Sequence, residues 1–158
     1  MIDELGSLTC KVQVPVEWQS LAISDCASAC NQIMISALSF SVETKSTRGH
    51  FGKLWQTLAL KAACGVIVRI VVPRPSKAHP ATARNAGAAL VAHSMGISVH
   101  FVPATNLLHA KQLIIDHRVL WVGSANLTAA AWHHNHERMA RIESDLLSTR
   151  ALNWLQGL

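Results

Sequence analysis

The feature that most constrains the fold is a short, almost wholly apolar run that ends at two prolines. The run is GVIVRIVV, from Gly65 to Val72, and Pro73 and Pro75 close it. Apolar residues at both odd and even positions predict a strand whose two faces are both covered. Such a strand belongs in the middle of a layered domain, with other elements packed above and below the sheet.

Segments with strand and helix patterns alternate along the rest of the chain. The predicted strands are Lys11–Val16, Gln32–Val42, Gly65–Val72, Ile97–Val102, Leu108–Asp116, Val119–Ser124 and His136–Glu143. The predicted helices are Gln19–Asn31, Gly49–Ala63, Thr82–Met95 (stopped by Gly96) and Leu146–Leu158, and Pro103–Leu107 is predicted to be a loop. This alternation predicts one α/β domain over residues 1–158, with a mixed, largely parallel central sheet and helices on both faces.

The composition is apolar for a single soluble domain. Half of the residues are hydrophobic and 15% are charged, whereas charged residues usually make up about a quarter of such a domain. No run of about 18 apolar residues is present that could cross a bilayer, so we expect no stable membrane insertion. A subunit interface is therefore the favoured explanation for the surplus apolar surface.

The net charge and the first residues indicate a partner and a compartment. The formal net charge is +5 and the isoelectric point is about 9.4, which favours an anionic partner such as nucleic acid or an anionic lipid surface. The first residues, MIDELGSLTC, lack the basic, apolar and small-residue regions of a signal peptide. We therefore expect a cytoplasmic protein.

Residue types that bind metals are present, but their spacing favours other roles. Cys26 and Cys30 are four positions apart on a predicted helix, and no matching pair completes a zinc-finger pattern. Four cysteines are also few for a disulfide framework in a chain of this length. The sequence therefore predicts neither a metal nor another cofactor.

Polar residues with a fixed spacing interrupt the apolar pattern of the strand predicted over Leu108–Asp116. His109 and Lys111 are two positions apart, so their side chains emerge from the same face of a strand. An imidazole beside an ammonium suits attack on a phosphodiester, because the lysine offsets the phosphate charge while the ring nitrogen attacks phosphorus. Asp116 lies seven positions after His109, an odd offset that favours a structural role at the strand end.

A second polar group lies at the end of the next predicted strand and just after it. Gly123 and Ser124 are followed at position 126 by Asn126, so the hydroxyl and the amide share a parity. Both can donate hydrogen bonds to the non-bridging phosphate oxygens, on which negative charge builds in the transition state.

The two polar groups together resemble the HKD signature of the phospholipase D superfamily, here His109-x-Lys111-x-x-x-x-Asp116 followed by Gly123-Ser124-x-Asn126. The resemblance implies a phospholipase D-like fold and a phosphohistidine mechanism on His109. Glu137 stands where small single-motif members carry a glutamate after the GSxN segment. By that resemblance Glu137 orients an active-site imidazole and fixes its tautomer.

The chain contains one copy of the signature, whereas most large members of the superfamily carry two. It therefore resembles the small dimeric bacterial phospholipase D-like endonucleases. The resemblance implies a homodimer in which His109 of each copy faces a shared site on a two-fold axis. One imidazole would become the phosphohistidine, and the other would protonate the leaving oxygen and later activate water.

Aromatic and histidine side chains near the signature are candidates for substrate contact. Trp132 could stack on a base, although a packed aromatic is the favoured interpretation. His133 and His134 could touch substrate phosphates at the mouth of the cleft, and with His136 they offer a metal-binding alternative that is disfavoured.

Three functions are compatible with these features. The favoured hypothesis is a metal-independent phosphodiesterase that cuts DNA or RNA without sequence preference. The first alternative is a phospholipid phosphodiesterase of the cardiolipin type, for which an anchor or an aromatic-rimmed apolar lid would be expected. The second is a non-catalytic nucleic-acid-binding subunit, which the intact signature disfavours.

Overall fold

The fold is given by a computed structural model that describes residues 10–44, 49–103, 105 and 107–158. Residues 1–9 lie outside the described part, so the prediction of one domain over residues 1–158 stays a prediction. The predicted loop Pro103–Leu107 includes positions 104 and 106, which also lie outside it.

The described strands form one seven-stranded mixed sheet. The strands are β1 Lys11–Gln13, β2 Gln32–Ser36, β3 Ile67–Pro73, β4 Ser98–Val102, β5 Gln112–Ile115, β6 Val119–Gly123 and β7 Met139–Glu143. Their order across the sheet is β1-β7-β6-β5-β2-β3-β4. All seven predicted strands are therefore present, and the apolar run that ends at Pro73 lies between β2 and β4.

The prediction of a mixed sheet is confirmed, but the expectation that it is largely parallel is wrong. Among the described strands, β2–β3 and β3–β4 pair in parallel, and the other four pairings are antiparallel. A tight turn joins β5 to β6 and makes that pair antiparallel. The other three antiparallel pairs, β1–β7, β2–β5 and β6–β7, are made by longer connections.

The helices are α1 Trp18–Ser28, α2 Gly49–Ala63, α3 Asn85–Ser94, α4 Ala129–His133 and α5 Asp145–Gln156. A short 3-10 turn, Pro80–Thr82, precedes α3. Gly96 follows the end of α3 with a φ of +76°, as expected for a glycine that stops a helix. The four predicted helices are present, and α4 is an addition that Thr128 begins by accepting a hydrogen bond from the Ala131 amide.

Helices cover both faces of the sheet, as predicted. Alternate residues of each central strand join two separate apolar clusters, so Ile33 and Ile35 of β2 face one cluster and Met34 faces the other. Helices α1 to α4 pack on the larger cluster, which includes Trp18, Leu54, Trp55, Ala92 and Trp132. Helix α5 covers the opposite face through Leu152 and Leu155.

A buried ionic network fixes β6 and β7 against α1. The Asp25 carboxylate accepts hydrogen bonds from the Arg141 guanidinium at 2.7 and 2.9 Å and from the Trp121 indole at 2.8 Å. The same guanidinium pairs with Glu143, and the hydrogen bond to Asp25 is the main cause that raises the pKa of Arg141. A buried charge with this many partners is costly to break, so the network holds the strand that follows the candidate site.

The four cysteines are free thiols in the structure. Burial raises the pKa of the Cys26 thiol, which makes it a small apolar core residue rather than a nucleophile. Among the helices of the described residues, none is long and apolar enough to cross a bilayer.

Candidate active site

The register of the sheet brings the polar residues of the sequence pattern, apart from Asp116, to one edge. Strands β2, β3 and β4 end at this edge, and β5 and β7 begin there, because Ser36 pairs with Gln112 and Gly123 pairs with Met139. We call it the site edge. The opposite edge, which we call the turn edge, carries the β5–β6 turn and the start of β2.

His109 is exposed at the site edge. It lies three residues before β5 rather than within it, so the prediction of a strand from Leu108 is wrong at this end. The reason is that the pairing of β2 with β5 ends at Ser36 and Gln112, so the chain before Gln112 has no strand partner on β2. His109 lines an open cavity of about 650 Å³ beside the end of α5.

Lys111 is buried, with 7% of its surface exposed. Its ammonium donates a hydrogen bond of 2.6 Å to the backbone carbonyl of His109, which uses one of its three donors. Burial lowers the pKa of Lys111, and the nearby Glu137 carboxylate partly offsets that effect. The two side chains are therefore not equivalent neighbours on one strand face: His109 is open to solvent, and Lys111 is a buried cation bonded to the His109 carbonyl.

A glycine allows β6 and β7 to approach closely at the site edge. A Cβ atom on Gly123 would lie 2.1 Å from the Arg138 carbonyl oxygen and 2.9 Å from the Met139 Cα, so only glycine fits. The next residue joins the same strands, because the Ser124 amide donates to the Arg138 carbonyl and the Ser124 hydroxyl accepts from the Arg138 amide, both at 3.1 Å.

The Glu137 carboxylate belongs to this junction. It accepts hydrogen bonds from the Ser124 hydroxyl and, at 3.1 Å, from the side-chain amide of Asn135. The single hydroxyl proton of Ser124 is thus given to Glu137, so in this arrangement it is not available to a phosphate. Within the described residues His109 of the same chain is not a hydrogen-bond partner of Glu137, and its pairing with an active-site imidazole stays a prediction.

Asn126 is oriented by the chain that follows β2. Its carbonyl oxygen accepts a hydrogen bond of 3.1 Å from the Leu38 amide. Because the oxygen is engaged, the amide NH₂ is the end of the side chain that can donate to a ligand. This is the polarity that stabilisation of a phosphoryl oxygen requires.

Asp116 lies at the turn edge, away from the other signature residues. Its carboxylate accepts three backbone hydrogen bonds of 2.6 to 2.8 Å, from Cys30, Asn31 and Gln32. Burial alone would raise the pKa of Asp116, but these three bonds outweigh it and hold the pKa below its ordinary value. Through these bonds Asp116 ties the β5–β6 turn to the start of β2.

The aromatic and histidine candidates separate into buried and exposed groups. Trp132 is 5% exposed and packs against Trp18, with ring centroids 4.7 Å apart. Its ring is therefore a core element, and the assignment to base stacking is wrong for this arrangement. His133 and His134 are exposed, with ring centroids 6.0 Å apart. Within the part of the chain that the structure describes, no group of three His, Cys, Asp or Glu is arranged to hold a metal ion.

The sequence interpretation missed Asn85, a polar side chain that is 0% exposed. Its amide donates to the Leu38 and Pro73 carbonyls at 3.1 and 3.0 Å, and its oxygen accepts from the Phe40 amide at 3.1 Å. It links the segment that orients Asn126 to the end of β3. The only available sign was an asparagine at the start of an apolar helix, where a helix cap is the ordinary interpretation.

Comparison with known families gives a match over most of the chain. Residues 23–158 match the family described as "Cardiolipin synthase, PLD-like domain". No curated protein sequence matches significantly.

Several solved structures share the fold. A phospholipase D family member, Nuc from Salmonella typhimurium, is 23% identical and superposes with a TM-score of 0.72 over 94% of this chain and 92% of Nuc. NucT from Helicobacter pylori is 17% identical, with a TM-score of 0.65 over 96% of this chain and 95% of NucT. Phosphatidylserine synthase from Haemophilus influenzae is 15% identical, with a TM-score of 0.66 over 93% of this chain but only 36% of the synthase. At these identities the likeness concerns the fold.

Proposed function

The chain belongs to the family of PLD-like domains, a family of phosphodiesterase type, and we propose that it is a metal-independent nuclease that cleaves DNA or RNA through a phosphohistidine on His109. The observation that carries the proposal is the link between His109 and Lys111. The exposed imidazole belongs to the residue whose backbone carbonyl accepts a hydrogen bond from the buried Lys111 ammonium. A cation is therefore held next to the residue that an approaching phosphodiester would meet.

The proposed reaction has two displacements at phosphorus. In the first, an imidazole nitrogen of His109 forms a bond to phosphorus, the bond from phosphorus to the leaving oxygen breaks, and that oxygen takes a proton from a second imidazole. In the second, this imidazole removes a proton from water, the water oxygen bonds to phosphorus, and the phosphorus–nitrogen bond breaks. Together the two steps return His109 and the second imidazole to their starting forms.

Two other residues have proposed roles in stabilising the transition state. The two remaining ammonium protons of Lys111 and the NH₂ group of Asn126 can donate to the non-bridging oxygens, on which charge builds. Ser124 and Glu137 support them from the junction of β6 and β7. His133 and His134 stay as candidates for contact with substrate phosphates, since both are exposed.

The second imidazole is proposed to come from a second copy of the chain. The chain carries one signature, and a two-fold axis would bring both copies of His109 to one phosphorus. Exposed apolar side chains beside His109 support this proposal: Trp154 and Leu158, which are 48% and 42% exposed, line the same cavity as His109. A partner that covers them would account for part of the surplus apolar surface.

An assay in excess EDTA tests the function. The purified protein is incubated separately with plasmid, single-stranded DNA, RNA and a labelled phospholipid, beside the variant His109→Ala. Cleavage of nucleic acid by the wild type and not by His109→Ala supports the proposal. Turnover of the phospholipid alone selects the lipid phosphodiesterase, and binding without turnover selects a non-catalytic subunit.

The intermediate can be observed directly. Quenching the reaction in denaturant should trap a fragment of the labelled substrate on the protein, in a bond that is labile in acid and stable in alkali, as expected for phosphohistidine. A label that appears on a protein lacking the His109 imidazole would contradict the mechanism. The cytoplasmic location stays a prediction.

A further inference from the structure

The charges of the chain are divided unevenly along the sequence. Residues 44 to 115 contain no Asp or Glu and hold nine of the fourteen Lys and Arg residues: Lys45, Arg48, Lys53, Lys61, Arg69, Arg74, Lys77, Arg84 and Lys111. The rest of the chain holds all nine Asp and Glu residues and five Lys and Arg. The excess positive charge therefore comes entirely from this acid-free segment, which also carries His109.

Three of these cations lie on one loop between β3 and α3. The loop spans residues 74–84, with the sequence RPSKAHPATAR, and we call it the basic loop. Arg74, Lys77 and Arg84 are exposed. None of the three has an ion pair with an acidic side chain among the described residues.

Internal hydrogen bonds give the basic loop a defined shape. The buried hydroxyl of Thr82 accepts from the Ser76 amide at 2.9 Å and donates to the His79 carbonyl at 2.7 Å. The His79 amide also donates to the Ser76 carbonyl at 3.1 Å. Beside these bonds lies an open cavity of about 430 Å³, lined by Pro75, Ser76, Lys77, Pro80 and Ala83. The cations are thus presented from a folded loop.

Two contacts fix the basic loop to the site edge. The Arg74 amide donates to the Val102 carbonyl at 2.9 Å, and Val102 lines the cavity that contains His109. At the other end of the loop, buried Asn85 bonds the Leu38 carbonyl, while the Leu38 amide orients Asn126. The loop and the reacting groups therefore belong to one connected part of the molecule.

We infer that the basic loop binds the phosphate backbone of a nucleic-acid substrate outside the scissile phosphate, through Arg74, Lys77 and Arg84. This inference rests on the proposed nuclease function and assigns the substrate's path: the strand leaves the His109 cavity past Val102 and runs along the loop. Contacts of cations with phosphates carry no base preference, which matches cleavage without sequence preference.

A lipid surface would also attract three cations, but the loop lacks what holds a protein in a bilayer. Its exposed apolar residues are alanines and prolines, and none of the large apolar side chains that are exposed in the described part of the chain lies within it. Peripheral membrane binding usually combines cations with large apolar side chains that enter the acyl boundary. The composition of the loop therefore favours nucleic acid.

The test measures binding in a cleavage-defective background. In His109→Ala, the triple variant R74Q/K77Q/R84Q is compared with a matched triple, R69Q/R118Q/R150Q, which removes the same charge at exposed positions outside the loop. Affinity for a single-stranded and a double-stranded oligonucleotide is measured over a series of KCl concentrations. The affinity falls as salt rises, so the slope of log affinity against log salt is negative. We expect the magnitude of this slope to decrease by about three in the loop variant, about one for each cation that no longer meets a phosphate. For the matched triple we expect the slope to fall by less than about one.

Binding to vesicles of phosphatidylglycerol is measured in parallel. Three outcomes overturn the inference: a slope that is unchanged in the loop variant, an equal reduction of the slope in both triple variants, or a loss of binding that is confined to the vesicles. With His109 restored, the ratio of kcat/KM for a polynucleotide to kcat/KM for bis(p-nitrophenyl) phosphate should fall about tenfold or more in the loop variant. A wild type that cleaves neither substrate contradicts the proposed function, whereas the salt slopes still test the loop.

Discussion

The two ends of β5 carry residues of the same short sequence pattern but serve different purposes. At the site edge, His109 is exposed and the buried Lys111 ammonium is bonded to the His109 backbone carbonyl. At the turn edge, the Asp116 carboxylate is saturated by three backbone amides at the start of β2 and just before it. The comparison teaches that a sequence signature can combine chemistry and folding, and that the residues at the turn edge hold the strand from which the site is built.

Substituting His109 should produce the largest effect and separate the two edges most clearly. His109→Ala removes the proposed nucleophile and, in the proposed dimer, the proposed acid, so kcat should fall by about 10⁴-fold or more. Because the side chain is exposed, the free energy of unfolding should change by less than about 0.5 kcal/mol. Activity assays and chemical denaturation check the two parts. Activity within about tenfold of the wild type would leave the proposed division of roles without support.

Lys111 should have the next largest effect. Lys111→Gln removes the cation that we propose faces the developing charge, and we expect kcat/KM to fall by about 10² to 10³. Because burial lowers the pKa of Lys111, the alkaline limb of the pH profile of kcat/KM should lie below the ordinary lysine value of 10.5. Lys111→Arg, which stays charged at higher pH, should move that limb upward. An unchanged limb would show that another group is responsible for it.

Asp116 should affect stability instead of chemistry. Asp116→Asn keeps a residue that tolerates the left-handed backbone at this position, where φ is +49°, but removes the charge that accepts three hydrogen bonds. We expect the free energy of unfolding to fall by about 2 kcal/mol, measured by urea denaturation. The kcat of the folded variant should stay within about threefold of the wild type. A fall in kcat with stability intact would move Asp116 into the reaction.

The smallest expected effect is the loss of the stability contributed by Asp116 at acid pH. The pKa of Asp116 is depressed in the folded chain, so its contribution to stability is present above the ordinary value of 3.8 and is lost as the pH falls through the folded pKa. The difference in unfolding free energy between the wild type and Asp116→Asn should therefore be constant near neutral pH and shrink in acid below that range. A difference that is the same at all pH values would indicate that the carboxylate charge is not what matters.

The sequence predicted the elements better than their limits. The sequence predicted helix α2 at its observed bounds and a strand in each of the seven places where the described residues form one, because apolar patterns are local properties of the chain. The start of β5 could not be predicted, because it depends on where β2, distant in sequence, leaves the ladder. For the same reason the antiparallel majority and the links made by Asn85 appear only when distant segments are brought together.

The sequence by itself determined the set of chemical groups at the site and their positions next to two strands joined by a tight turn, since such a turn places the start of one strand beside the end of the next. Only the tertiary structure decided which of those groups are exposed and which are engaged. Burial of Lys111 and the hydroxyl bond from Ser124 to Glu137 depend on contacts between different elements of the fold, and no local pattern encodes such contacts.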